Sequence, residues 1–346
     1  MRPASLRARG AACGAGSAGG RHRGGLVSAA GSLEALGRAL RALGAVWIAV
    51  TLLYIVSGLV SPSMFQLGQV VNILQVAAFL GVVALGQVIV ILTGGIDLSQ
   101  AGTITLTNIV ATSVMMGQPE NIAAALLICL ALAVAVGLLN GILVVVIGIT
   151  PLVTTLGMNS ILFGAALVYT GGAPRGEAAE AFEVIGTGRF FGIPAPTLIW
   201  LALAAALFVL TRRTVFGRWL YATGANPVAA RLMGVPVERM TVAAFVLSGV
   251  MAAIGGLLLT AYVGSPSLGI GNQFLLTSVA AVVVGGAALT GGLGGILPTV
   301  GGAIFITELN SFTNIVQVTT GTQFVLQGAI IILSVIAYRR LSGTGR

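Results

Sequence analysis

Several chemically useful residue types are missing or nearly missing from this 346-residue chain. Lysine is absent, which excludes a Walker A nucleotide site and a Schiff-base enzyme. His22 is the single histidine and Asp97 the single aspartate, which excludes a histidine-based triad, a histidine-rich metal site and a two-aspartate intramembrane protease. Cys13 and Cys129 are the only cysteines, so no disulfide framework or cysteine metal site is expected. We therefore predict a protein that is not an enzyme and binds no metal or cofactor itself.

Charge is also scarce. Charged residues make up 7% of the chain, against about 25% in soluble globular domains. Hydrophobic residues make up 57%, and the mean hydropathy is +1.06, so most of the chain must face lipid. A spanning helix needs roughly 20 apolar residues, and the charge-free stretches predict an all-α integral membrane protein with about ten transmembrane helices. Their approximate cores are 44–60, 70–92, 101–117, 122–147, 150–169, 197–211, 241–262, 274–289, 294–312 and 322–338.

The arginines are distributed unevenly along the chain. A net charge of +9 would suggest nucleic acid in a soluble protein, but here the arginines cluster at both ends and in the loop 212–240. The loop 171–196 instead carries more glutamate than arginine. The positive-inside rule therefore places 1–43, 212–240 and 341–346 in the cytoplasm and 171–196 in the periplasm. We expect a multi-pass protein of the bacterial inner membrane with both termini in the cytoplasm and no nucleic-acid partner; residues 1–43, rich in Gly, Ala and Arg, are predicted to be a disordered tail.

The stretch 86–102 reads GQVIVILTGGIDLSQAG and interrupts two apolar helices. Its two glycines permit a backbone turn that other residues resist. Asp97 is followed three residues later by Gln100, a pattern typical of a capping box at the start of the next helix. Two interpretations stay open: Asp97 only caps a helix, or this break is a gate that touches substrate. The candidate gate or substrate-path residues are Thr93, Gly94, Gly95, Asp97, Ser99, Asn72, Gln75 and Asn108.

Other polar residues also lie within or at the ends of the predicted spans. Most such residues form hydrogen bonds between helices rather than bind ligands, although several lining one cavity would suit a polyol. Glu308 is the only other acid in a predicted span, and it either faces a water-filled path or reaches the headgroups. The polar set includes Gln87, Asn140, Asn159 and Asn310.

Glycine patterns add two weaker signals. GxxxG pairs at 137–141 and 291–295 favour close helix packing. Thr-Gly-Gly occurs at 93–95, 170–172 and 290–292, which is either a relic of an internal repeat or chance in a chain with 50 glycines.

The loop GRWLYATGANPVAARLMGVPVERM at 217–240 contains a complete set of helix signals. Asn226 suits the N-cap, Pro227 the first helical position and Gly234 the position after the C-terminus. These signals predict a two-turn helix at 227–233, which either lies on the membrane, docks into a groove of a partner, or merely connects two spans. The candidate contact residues are Asn226, Pro227, Ala230, Arg231, Leu232 and Gly234.

Three stretches occur together in order: VALGQVIVILTGGIDLSQAGTITL, LNGILVVVIGITPLVTTLGMNSILFG and TVFGRWLYATGANPVAARLMGVPVERMTVAAFVLSG. Together they resemble permease subunits of bacterial ABC sugar importers of the ribose type, in a family that also includes branched-chain amino-acid permeases. The resemblance covers about 44–340, which would be the permease domain. The tail and Glu308, where an uncharged residue is expected, depart from it.

The resemblance implies a transport subunit without its own ATPase site. Two permeases, identical or paralogous, would pair around a path for a monosaccharide such as a pentose. A cytoplasmic ATPase subunit would hydrolyse ATP, and a periplasmic sugar-binding protein would deliver the cargo. Residues 226–234 match the family's short cytoplasmic coupling helix. Its movement would drive alternating access by tilting the spans and a hinge at Gly94-Gly95.

Other functions remain as alternatives. The same architecture carries branched-chain amino acids or nucleosides. An ion-coupled secondary transporter would usually show paired intramembrane charges, which the sequence lacks. An integral-membrane enzyme would need catalytic groups that are absent.

Overall fold

The computed structural model describes residues 44–319, and beyond them 321–323, 325–326, 328–330 and 332. The predicted tail 1–43, the C-terminal end 341–346 and much of the predicted span 322–338 lie outside the described residues.

The described chain is almost entirely helical. Nine longer helices are α1 (Gly44–Val60), α2 (Leu67–Leu92), α3 (Gln100–Met115), α4 (Ile122–Ile142), α5 (Pro151–Thr170), α7 (Ala195–Arg213), α10 (Val237–Val263), α11 (Phe274–Val284) and α12 (Ile296–Ile315). The short helices are α6 (Glu180–Thr187), α8 (Val215–Ala225) and α9 (Pro227–Leu232). Short 3-10 turns cover Pro62–Phe65 and Pro119–Asn121, and a π-helical turn, Leu143–Ile147, extends α4. One two-stranded hairpin pairs β1 (Arg189–Phe190) with β2 (Ile193–Pro194).

Five helical segments in the described part of the chain are long and apolar enough to cross a membrane: Leu67–Leu92, Pro119–Ile147, Pro151–Thr170, Ala195–Arg213 and Val237–Val263. The all-α membrane class is therefore confirmed, whereas the count of about ten spans stays a prediction. Helix α11 is shorter than the predicted core 274–289, because Gly285 and Gly286 follow it and Gly286 adopts a positive φ of 85°. Its 11 residues extend only about 17 Å, well short of a bilayer core of about 30 Å.

Helix α2 lies at the centre of the fold. In its most apolar stretch of 18 residues, 89% of the residues are buried inside the protein, against 28% in the corresponding stretches of the segments that contain α4 and α5. It contacts α7, α10, α11 and α12, and it is buried continuously from Ala77 to Leu92. The break that follows Leu92 therefore begins at the end of a buried helix, and Gly94 within the break is exposed.

The predicted GxxxG packing holds for one pair only. A Cβ at Gly137 or Gly141 would come within 2.6 Å of Phe245 or 2.8 Å of Val242, so α4 and α10 pack backbone to backbone. The pair at 291–295 does not pack a helix, because it lies in the loop between α11 and α12.

Candidate functional site

Asp97 lies in the break between α2 and α3 and is 1% exposed. Its Oδ1 accepts hydrogen bonds from the backbone N–H of Ser99 (3.0 Å) and from Ser99 Oγ (2.6 Å). Its Oδ2 accepts from Ser248 Oγ on α10 (2.6 Å). Among the described residues no cation forms an ion pair with it. Three donors thus compensate the burial of this carboxylate in place of an arginine.

Two glutamines extend this cluster to α2. Gln100 Nε2 donates to Ser248 Oγ (2.9 Å) and to the carbonyl of Val83 (3.2 Å). In the amide orientation that satisfies both of its ends, Gln87 donates to the carbonyl of Asp97 (2.8 Å) and to Gln100 Oε1 (2.9 Å), and accepts from the Asp97 N–H (3.2 Å). This connected set ties α2, α3 and α10 together.

Asn140 adds α4 to the same cluster. Its Nδ2 donates to Ser99 Oγ (2.8 Å), the hydroxyl that itself donates to Asp97. Its Oδ1 is buried and has no hydrogen-bond partner within the described part of the chain. Buried polar atoms are normally paired, so this acceptor is notable. We call the six residues the Asp97 network: Gln87, Asp97, Ser99, Gln100, Asn140 and Ser248.

The predicted capping box is wrong. Helix α3 begins at Gln100, and Ser99 precedes it without a side-chain cap. The Gln100 side chain turns toward α2 and Ser248, so the N–H of Asp97 bonds to Gln87 instead. Asp97 does accept one N–H at the start of α3, but its other carboxylate oxygen bridges to α10.

The remaining substrate-path candidates do not join this network. Asn72 is exposed on α2, and Gln75 donates to the carbonyl of Gly186 on α6 (3.1 Å). Asn108 donates to Thr260 Oγ1 (3.1 Å) and accepts from the N–H of Ser267 (2.7 Å). These bonds hold helices and loops together, whereas four network members are absent from the candidate set: Gln87, Gln100, Asn140 and Ser248. Gln87 and Asn140 were signalled only by their polar character within apolar spans, Gln100 was expected only as a capping residue, and Ser248 was not signalled.

The end of α2 meets two other segments at glycines. The N–H of Gly292 donates to the carbonyl of Leu92 (3.0 Å), and a Cβ at Gly291 would lie 2.8 Å from the N–H nitrogen of Gly94. A Cβ at Gly224, near the end of α8, would collide with the Leu92 carbonyl. The Thr-Gly-Gly stretches 93–95 and 290–292 therefore lie side by side. We call Gly94, Gly224, Gly291 and Gly292 the glycine junction.

Helix α9 follows α8 directly and is capped as the sequence predicts. Asn226 Oδ1 accepts from the N–H groups of Val228 (3.1 Å) and Ala229 (3.0 Å). Pro227 is the first helical residue, and Gly234 adopts a positive φ of 81°. Only two residues thus separate the glycine junction from the first residue of α9.

The candidate contact residues of α9 differ in their exposure and contacts. Leu232 is 86% exposed and forms an exposed apolar surface with its neighbours Val228 and Met233. Ala230 is buried and packs inward. Arg231 Nε pairs with Glu238 Oε1 at the start of α10 (2.7 Å), with both side chains about half exposed.

Glu308 lies inside the protein and does not reach the headgroups. It is 2% exposed on α12. Its Oε1 has no partner within the described chain.

Comparisons with known proteins fit this architecture. Residues 69–335 match a family model described as a branched-chain amino acid transport system permease component. The ribose import permease protein RbsC of Escherichia coli strain K12 is 34% identical over 293 residues, covering 84% of this chain and 91% of that protein. RbsC of Bacillus subtilis is 34% identical over 298 residues, covering 86% and 92%. The galactose/methyl galactoside import permease protein MglC of Escherichia coli is 31% identical over 313 residues, covering 84% and 92%. No solved structure matches the chain.

Together the apolar helices, the matched family model and the sugar permeases show that this chain belongs to the ABC-transporter permease family and is a multi-pass membrane protein.

Proposed function

We propose that this chain imports a monosaccharide, a pentose or related sugar, by alternating access powered by an ATPase on a separate chain. The observation that carries the mechanism is the glycine junction. It places Gly224, two residues before the cap of α9, against the carbonyl that ends the central helix α2. A displacement of α9 would therefore act through backbone contacts on the break at Gly94-Gly95.

In this mechanism α9 is the coupling helix. Its apolar residues Val228, Leu232 and Met233 are exposed beside Arg231, a surface suited to a groove in the ATPase. The chain binds no cofactor itself, and ATP is hydrolysed by the partner. A second permease, identical or paralogous, completes the path, and a periplasmic binding protein delivers the sugar.

The proposed topology has ten spans and places both termini in the cytoplasm. Arg212 and Arg213 at the end of α7, with Arg218, Arg231 and Arg239 beyond it, mark the cytoplasmic side. The acidic segment 171–196 lies on the opposite side. In this arrangement α8 and α9 face the cytoplasm, where an ATPase is accessible.

The sugar path is proposed to pass the break between α2 and α3. Hydroxyl-rich cargo needs hydrogen-bonding groups, and the Asp97 network concentrates them there. Asn140 Oδ1 is its free acceptor within the described chain. The sugar permeases RbsC and MglC support sugar as the cargo class.

The decisive experiment measures uptake of labelled pentoses, hexoses and branched-chain amino acids by cells with and without the gene, before and after ATP depletion. Loss of ATP-dependent uptake of one sugar supports the proposal and names the cargo. Uptake that survives ATP depletion and collapses with the ion gradient overturns it in favour of a secondary transporter.

The second candidate cargo is a branched-chain amino acid, because the matched family model carries that description. Loss of leucine or valine uptake with unchanged sugar uptake would replace the cargo and keep the ATP-driven mechanism. Labelled nucleosides are added to the same assay to test the nucleoside alternative.

A further inference from the structure

The hairpin between α6 and α7 has an apolar tip. Phe190 pairs with Ile193 across it, and the turn residues Phe191 and Gly192 both have positive φ, 52° and 83°. Two positive φ values are typical of a type I′ turn, which favours Asn-Gly. A bulky aromatic residue is rare at positive φ because its Cβ strains the backbone.

The tip of the hairpin is exposed as well as strained. Phe191 is fully exposed, and Phe190 and Ile193 are about half exposed. Neither backbone geometry nor contact with water favours phenylalanine at this position. Such a tip is therefore expected to be covered by something outside the chain.

The position of the hairpin indicates what its tip contacts outside the chain. Helix α7 starts at Ala195, directly after the hairpin, and ends at Arg213. Its 19 residues extend about 28 Å, close to the thickness of a bilayer core. Because Arg212 and Arg213 mark the polar boundary at one end, the hairpin lies at the opposite boundary.

The neighbouring surface of α7 is also apolar. Leu198, Leu201 and Val209 form an exposed stripe, while Trp200 and Leu207 on the other face are buried. In a membrane protein such a stripe suits lipid, and the hairpin tip continues it at the end of the helix. Phenylalanine is among the side chains that interfacial segments bury at the boundary between the headgroups and the acyl chains.

We propose that the hairpin 189–194 is a membrane anchor that inserts Phe190, Phe191 and Ile193 into the interfacial layer of the bilayer. Arg189, exposed at its base, would reach the lipid phosphates. The partner is a phospholipid surface, in the periplasmic leaflet under the proposed topology. The anchor depends on the membrane-spanning fold and not on the cargo, so it stands or falls independently of sugar import.

The test measures where residue 191 lies. Full-length protein carrying Cys13→Ser, Cys129→Ala and Phe191→Cys is labelled with a nitroxide and reconstituted in vesicles of phosphatidylethanolamine and phosphatidylglycerol. Collision rates with oxygen, which concentrates in lipid, are compared with those of a water-soluble nickel chelate. Glu120→Cys is the matched control, because Glu120 is exposed and its turn adjoins the same loop through the bond from Gly117 N–H to the Glu177 carbonyl (3.1 Å).

We expect the oxygen-to-nickel ratio to be several-fold higher at 191 than at 120. A ratio equal to that of the control would place the tip in water and overturn the proposal. Low accessibility to both reagents, or a spectrum that broadens on adding the binding protein, would identify a protein cover and also overturn it. A label at Phe190→Cys repeats the measurement without altering the strained turn position.

Discussion

The backbone N–H of Gly292 donates a 3.0 Å hydrogen bond to the carbonyl of Leu92, joining the loop before α12 to the last residue of the central helix. Gly224 approaches the same carbonyl from α8. Three segments distant in sequence thus share one backbone group at the helix break.

Gly224→Ala should uncouple this junction. The added methyl meets backbone atoms of Leu92 and Gly292 that have little freedom to move, and such overpacking costs about 1–3 kcal/mol. We expect ATP-dependent uptake to fall at least about tenfold while the protein remains in the membrane. Gly164→Ala on α5 is the matched control, because a Cβ there meets nothing within 4 Å. Normal uptake by Gly224→Ala would remove the junction from the mechanism.

Asp97→Asn should be much milder than Asp97→Ala. Asparagine keeps an acceptor for Ser99 and leaves only the Ser248 hydroxyl to rearrange, whereas alanine leaves several buried donors unpaired at about 1–3 kcal/mol each. Thermal unfolding in detergent and radiolabelled uptake are measured together. Abolished uptake by Asp97→Asn at normal unfolding temperature would instead indicate that the carboxylate contacts cargo.

The coupling between Asp97 and Ser248 is tested by a double-mutant cycle. If the bond between them is the main effect of Ser248→Ala, the combined loss with Asp97→Ala, which removes the acceptor, should be smaller than the sum of the single losses. Additive losses would show that the two side chains act separately.

Leu232→Glu should weaken binding of the ATPase without unfolding the permease. The side chain is 86% exposed, so a charge there disturbs only a partner surface. A central interface residue is worth about 2 kcal/mol, so we expect roughly thirtyfold weaker association by titration in detergent. Gln118→Glu, another exposed position, is the control; Ala230→Leu should instead destabilise the fold, because Ala230 is buried. Undiminished binding by Leu232→Glu would contradict the docking assignment.

Glu308→Gln should maintain or raise stability. Glutamine has nearly the same size and shape, and it removes a buried carboxyl group that has one unpaired oxygen. We expect an unchanged or higher unfolding temperature and unchanged uptake. Loss of uptake in Glu308→Gln at full stability would place Glu308 on the transport path.

The sequence determined the features that depend on composition and on neighbouring residues. Scarce charge and long apolar runs identified the membrane class, and Asn226, Pro227 and Gly234 predicted α9 almost to the residue. Caps and turns act within a few residues, so a local pattern contains the information.

Tertiary structure decided what each buried polar group contacts. Ser248 lies 151 residues from Asp97 along the chain, and no local pattern links them. Likewise, the contact between the two Thr-Gly-Gly stretches is evident only in the folded structure, where 290–292 lies beside 93–95. The Asp97 carboxylate does bond locally to the N–H and hydroxyl of Ser99, but its third donor is the hydroxyl of Ser248 on α10, which only the tertiary structure brings near. The packing of segments distant in sequence therefore determined the hydrogen bonds that the local sequence did not specify.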